Sequence, residues 1–309
     1  MTTAHTSDPA AAPAAEPLRR VSAVAWVLAA VTAALLGLAF RPMFAWMYDR
    51  WVDGASYYTH GFFVPVVAFY FVWRDRRALL AVRSEGSWLG LALFLAGLAG
   101  LILSGFLSVY FTAAFSLILT LWGLCGFLFG RVALRRLLFP AFVLTFMVPL
   151  PLETIAGVSL RLKLMASELA LRLLDLFGIL ATNDGSTIYL GNAANSTVVV
   201  GDACSGLRSL ISLLFLGVLF AYLSGLTRPR KAALFLASMP IAILANVARV
   251  FILCVVAYYW GSPAIQGWVH DMSGYMIFVV AFLLLHATSV ALRWRMARGG
   301  PRGTEAADA

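Results

Sequence analysis

The chain has 309 residues, of which 62% are hydrophobic and only 12% charged, with a net charge of +9. Soluble domains carry about 25% charged residues, so this composition excludes a soluble globular protein and indicates an integral membrane protein. The positive balance does not mark a nucleic-acid partner, because the cations fall in short clusters between apolar runs, the pattern that sets membrane topology.

Residues 1–20, rich in Ala, Pro and Thr, read as a disordered cytoplasmic tail. A polytopic membrane domain is expected over 21–292 and a basic cytoplasmic tail over 293–309. A crossing helix needs roughly 20 apolar residues at about 1.5 Å each. Eight segments approach that measure: 21–40, 58–73, 88–105, 109–129, 137–152, 204–224, 232–258 and 272–292. The first is too long for a signal-peptide core and is followed by no small-residue cleavage site, so it reads as a retained helix.

On an eight-crossing chain the cation clusters all fall on one side. They are Arg19 and Arg20; Arg74, Arg76 and Arg77; Arg131, Arg135 and Arg136; Arg228, Arg230 and Lys231; and Arg293, Arg295, Arg298 and Arg302. The positive-inside rule makes that side the cytoplasm and puts both termini there.

The largest break in the apolar pattern is 153–203. In its first half Arg161, Glu168, Arg172 and Asp175 stack along one stripe of a helix, with Glu168 and Arg172 at i,i+4 spacing. Leucines 160, 164, 169, 171 and 174 cover much of the rest. This predicts an amphipathic helix in the outer interface. Thr187–Leu190 and Thr197–Val200 are β-prone runs and predict a small hairpin before the sixth crossing. The fold class is therefore an all-α integral membrane protein of about eight transmembrane helices, with an outer amphipathic helix and a small β-hairpin.

The polar residues gather at one level. Cys204 opens the sixth crossing at the outer face, where helix-terminal N–H groups and the macrodipole lower a thiol's pKa. Arg208 is one turn on, either sharing that face or snorkelling to the interface. Arg249 lies about 27 Å along the seventh crossing, near its outer end, with Asn246 on the same face. An arginine within a membrane helix is costly and functional by default. His270 falls in the loop joining the last two crossings and is a candidate general acid or base for the cysteine. Asp202 and Asp271 are candidates to orient it, and His60, at the outer end of the second crossing, either lines the site or anchors the interface. Cys125 and Cys254 read as small apolar fillers. Three scattered cysteines form no disulfide framework or metal site, and no cofactor is expected.

These residues sit in motifs that resemble the exosortase/archaeosortase family of membrane transpeptidases. The motifs are "YYTHGFFVP", "MVPLPLE", "GDACSGLRSL", "ANVARV" and "HDMSGY", in order from about residue 57 to 280. The resemblance implies a catalytic cysteine at Cys204, an arginine at Arg249 and a third member at His270, the residue typical of bacterial forms. One departure is Asp202, where the family pattern expects Glu, and the acid is kept. The implied substrates are secreted proteins with a C-terminal sorting signal of short motif, transmembrane helix and basic cluster. The motif is Pro-Glu-Pro in the best-known bacterial case. The acceptor of the second step, a lipid or a glycan among the candidates, is not implied. The expected location is a bacterial inner membrane with the site on the extracytoplasmic face. The main rival is a non-proteolytic export or assembly factor for exopolysaccharide or lipid-linked sugar, and a second is a cysteine acyltransferase acting on lipids.

Overall fold

The computed structural model describes residues 23–54, 56–80, 86–191, 196–201 and 205–298. Asp202 and Cys204 lie outside the described residues, as do the N-terminal tail and residues 299–309.

The chain opens with α1 (Ala23–Ala39), bent by 69° into α2 (Arg41–Val52). Pro42 sits in the first turn of α2, where its missing N–H costs nothing. A short turn at Thr59–Phe62 leads into α3 (Phe63–Arg74) and α4 (Arg76–Leu80). Then come α5 (Trp88–Leu107) and α6 (Tyr110–Leu144). Among the described residues α5, α6, and the later α9 (Arg228–Trp260) and α10 (Trp268–Arg298) are long and apolar enough to cross a membrane, with α1 and α2 a fifth candidate if the bent pair is one span. The apolar α8 (Leu207–Leu223) is shorter, at 17 residues.

α6 is not one straight rod. Gly130 has a φ of 76° and interrupts the helical backbone. Trp122 Nε1 donates to the carbonyl of Leu134 at 2.9 Å, although twelve residues of straight helix would separate the two by about 18 Å. Val143 accordingly packs in one core with Ala113, Ala114 and Leu117. The chain therefore reverses at Gly130, and 110–129 and 131–144 form two antiparallel arms. The segment expected over 137–152 is corrected: its helix ends at Leu144, and a tight turn at Thr145–Met147 carries the chain to the next element.

That element, α7 (Leu152–Leu176), is the expected amphipathic helix. Arg161, Glu168, Arg172 and Asp175 are exposed, with Arg172 paired to Glu168. Of the leucines beside that stripe, Leu174 is buried with Ala166 and Ala170 against Val247, Val250 and Cys254 of α9, Leu169 and Leu171 are half-buried against the same core, and Leu160 and Leu164 are exposed. Small residues let the two helices approach closely. Three antiparallel strands follow in the order β1 (Ala181–Asp184), β2 (Thr187–Leu190) and β3 (Thr197–Val199), one more than a hairpin. Ile188, Leu190, Val198 and Val200 bury one sheet face in the α7–α9 core.

α8 is buried on most sides, touching the α2–α3–α6 core through Phe215 and the α9–α10 core through Leu213. An all-round apolar helix suits that central place. At its C-terminal end three cation clusters meet. Lys231 Nζ donates to the Tyr222 carbonyl at 3.0 Å, Arg293 Nη2 to the Ser224 carbonyl at 2.7 Å, and Arg74 Nη2 to the Tyr222 hydroxyl at 3.2 Å. Cations are favoured at a helix C-terminus, and their convergence identifies one end of the bundle. The other end, at the N-terminus of α8, holds the candidate site.

Candidate active site

Two glycine requirements fix the entry to α8. Gly206 has a φ of 77°, in the left-handed region that side chains avoid. A Cβ there would also lie 2.6 Å from Asn246 Cγ of α9. The chain at Gly206 therefore abuts α9 at Asn246, one helical turn from Arg249. Ser205 and Asn246 are both buried, Asn246 to 3% exposure.

Arg249 is 8% exposed and reaches across to α10. Its Nε donates to Ser273 Oγ at 2.8 Å and its Nη2 to the His270 carbonyl at 3.0 Å. The Ser273 hydroxyl in turn donates to the same carbonyl at 2.6 Å. Guanidinium, hydroxyl and carbonyl thus form a closed ring that pins the first turn of α10 to α9. His270 is corrected from the loop to that first turn, because α10 begins at Trp268, directly after Gly267 at φ 59°. Ser273 is not among the expected site residues. Its signal was available once the helix start is known: it lies three residues after His270, on the same face.

Arg208, half-buried in the first turn of α8, donates from Nη2 to the Gly54 carbonyl at 3.2 Å, which ties α8 to the end of α2. Its Nε is buried and has no hydrogen-bond partner among the described residues. The two arginines, His270 and Asp271 share one open cleft of about 370 Å³, together with Thr59, Tyr275 and Phe278. Asp271 is exposed at its mouth. His60 is set apart from this group. It packs between Tyr58 and Phe215, with Nδ1 3.4 Å from Ser212 Oγ, and its neighbour Thr59 lines the cleft instead.

Of the expected site residues, then, Arg208, Arg249, His270 and Asp271 line one cleft, Asn246 abuts Gly206 at the entry to α8, and His60 packs against α8. Cys254 is in the α7–α9 core, and Cys125 borders an apolar hollow with Phe69, Phe129 and Leu137 near the Gly130 turn. Chemically, the cleft offers fixed cationic donors for an anion or a developing oxyanion, and an imidazole able to carry a proton. The chain matches the model of the transmembrane exosortase family (Exosortase_EpsH) over residues 51–287, well over half its length. No curated protein and no solved structure matches it.

Proposed function

Because the chain belongs to the transmembrane exosortase family and is a membrane enzyme of the sorting type, we propose that it is a cysteine transpeptidase acting on C-terminal sorting signals. In this reading it sits in a bacterial inner membrane, crosses it eight times with both termini in the cytoplasm, and works at the extracytoplasmic face. The observation that carries the reading is the placement of Arg208, Arg249 and His270 around one cleft at the bundle end opposite the cation clusters. A substrate held by its own membrane helix presents its scissile bond just outside the bilayer, at the level where such a cleft is useful.

The Cys204 thiolate attacks the carbonyl carbon of the scissile peptide, and an arginine donor stabilises the oxyanion. The C–N bond then breaks as His270 gives its proton to the leaving amine, which leaves a thioester on Cys204. An acceptor nucleophile, a lipid or glycan group, loses its proton to His270 and attacks the thioester. The C–S bond breaks and the thiolate is restored. Between the arginines, Arg249 is 8% exposed and has Nε and one Nη committed to the Ser273–His270 ring, whereas the half-buried Arg208 lines the same cleft with one Nη on the Gly54 carbonyl. Arg208 is therefore assigned the substrate contact, and Arg249 the holding of His270.

The test uses a reporter exported to the outer face, ending in Pro-Glu-Pro, an apolar helix of about 20 residues and an Arg cluster, tagged at both ends. Co-expression with the enzyme is expected to separate the tags, and Cys204→Ala and Cys204→Ser are expected to abolish the separation. Wild-type processing by either variant would end the cysteine reading. A transport role is the weaker alternative, since transporters place broken or charged helices near the midplane and this cleft lies at helix ends.

A further inference from the structure

The cleft around Arg249 has a neighbour. His270 and Asp271 also line a second open groove, of about 440 Å³, walled by β3 through Thr197 and Val199 and by the turn at Ser262–Ile265 with Gln266. The same two residues thus border both hollows.

The hollows differ in kind. The first follows α10 from His270 to Phe278, about 12 Å of helix, and passes from charged groups to Tyr275, Ile277 and Phe278. It therefore descends into the apolar stretch Trp268–Trp294. The second lies on sheet and loop and offers hydroxyl, amide and carboxylate groups from Thr197, Ser262, Gln266 and Asp271.

The sheet register adds a specific feature. Leu190 N–H donates to the Ser196 carbonyl and Val200 N–H to the Ser186 carbonyl, each at 2.9 Å. By the alternation of an antiparallel ladder, Thr197 and Val199 turn their peptide groups away from β2. The Ser262 hydroxyl takes both groups of Thr197, accepting from its N–H and donating to its carbonyl at 2.9 Å. The Val199 carbonyl accepts from Gly201 N–H at 2.9 Å. That leaves the Val199 N–H as the outward donor of β3, beside the groove that Val199 lines.

We propose that the two hollows are one directional substrate track across His270, an inference that rests on the sorting reading above. Residues upstream of the scissile bond lie extended in the β3 groove, read by the Val199 amide and Gln266. The downstream segment enters the α8–α10 cleft past Arg208 and continues as the substrate's own membrane helix. The physics sets the direction. An extended backbone leaves its N–H and C=O groups unsatisfied in hydrocarbon, whereas a helix satisfies its own. Only the helical end of the substrate can occupy the apolar end of the track, and only the extended end suits the polar groove.

The doubly tagged reporter tests this. Photo-reactive p-benzoylphenylalanine (Bpa) is introduced as Gln266→Bpa or Phe278→Bpa in the processing-competent enzyme, and the tags on the cross-linked enzyme are read after cleavage. The expected result is the N-terminal tag alone at 266 and the C-terminal tag alone at 278. The same tag at both positions, the reverse order, or processing with no adduct at 266 would overturn the track while leaving the sorting reading intact. Failure of the parent enzyme to process the reporter would overturn both. As a second readout, Val199→Pro removes the outward amide, a change tolerated at a sheet edge. It is expected to raise KM about fivefold, the order of one hydrogen bond. A wild-type KM in Val199→Pro would remove Val199 from the track.

Discussion

The α5–α6 pair and the α8–α10 end use polar residues in opposite ways. In the first, hydroxyls return to their own helix: Ser104 to Gly100, Ser116 to Thr112 and Thr120 to Ser116, at 2.7 to 2.9 Å. One hydroxyl pair, Ser104 with Thr112, crosses between helices at 2.8 Å. Contact is made instead by glycines. A Cβ at Gly97 would collide with Thr120, and one at Gly123 with Phe94. In the second region a long cation reaches across, and Arg249 binds Ser273 and the His270 carbonyl on a different helix. Lipid gives apolar side chains little reason to prefer one another, so close backbone approach suffices for packing. A guanidinium inside a membrane helix is costly, and Arg249 offsets part of that cost through the bonds it makes to α10.

Substitutions can break that contrast. On the proposed mechanism His270→Ala is expected to have the largest effect of this set, lowering kcat for reporter cleavage about 10²- to 10⁴-fold, the usual worth of a general acid–base group. A loss below tenfold would remove His270 from proton transfer. Arg249→Lys keeps the charge but cannot serve Ser273 and the His270 carbonyl through one planar fork. A fall in kcat of about 10²-fold is expected, with little change in KM, and wild-type kcat would deny Arg249 its holding role. Ser273→Ala leaves the Arg249 Nε without its acceptor and is expected to cost about tenfold in kcat. Ser273→Thr, which restores the hydroxyl, should recover most of it. The smallest catalytic effect belongs to the other region. Gly97→Leu overfills the α5–α6 contact and should destabilise the protein by about 1–3 kcal/mol, read as a lower Tm in detergent, while kcat per folded enzyme stays at wild type. A kcat loss matching that of Arg249→Lys would erase the distinction between the two regions.

What could be read from the sequence follows the same division. Apolar length alone located the segments that became α1, α5, α8, α9 and α10, because a bilayer demands that length. The spacing of Arg161, Glu168, Arg172 and Asp175 located the exposed stripe of α7. α2 falls outside the apolar segments because Arg41, Asp49 and Arg50 lower its hydropathy, yet Pro42 followed by Met43 and Met47, both buried, is a helix start with an apolar face. His270 belongs to a helix rather than the expected loop because the break ends at Gly267 and the helix starts at Trp268. Arg208, Arg249, His270 and Asp271 could be gathered by topology, since alternate crossings bring fixed ends together. Ser273, the Gly206–Asn246 contact and the β3 groove could not, because they depend on how helices rotate and pack rather than on where they start.

The central claim is a covalent intermediate on Cys204, and intact-mass analysis of the enzyme isolated while turning over the reporter tests it most directly. The account predicts an adduct with the mass of the upstream fragment less one water, located at Cys204 by peptide mapping, discharged by hydroxylamine and absent from Cys204→Ala. Reporter cleavage that continues in Cys204→Ala, with no hydroxylamine-labile adduct on the parent enzyme, would contradict it.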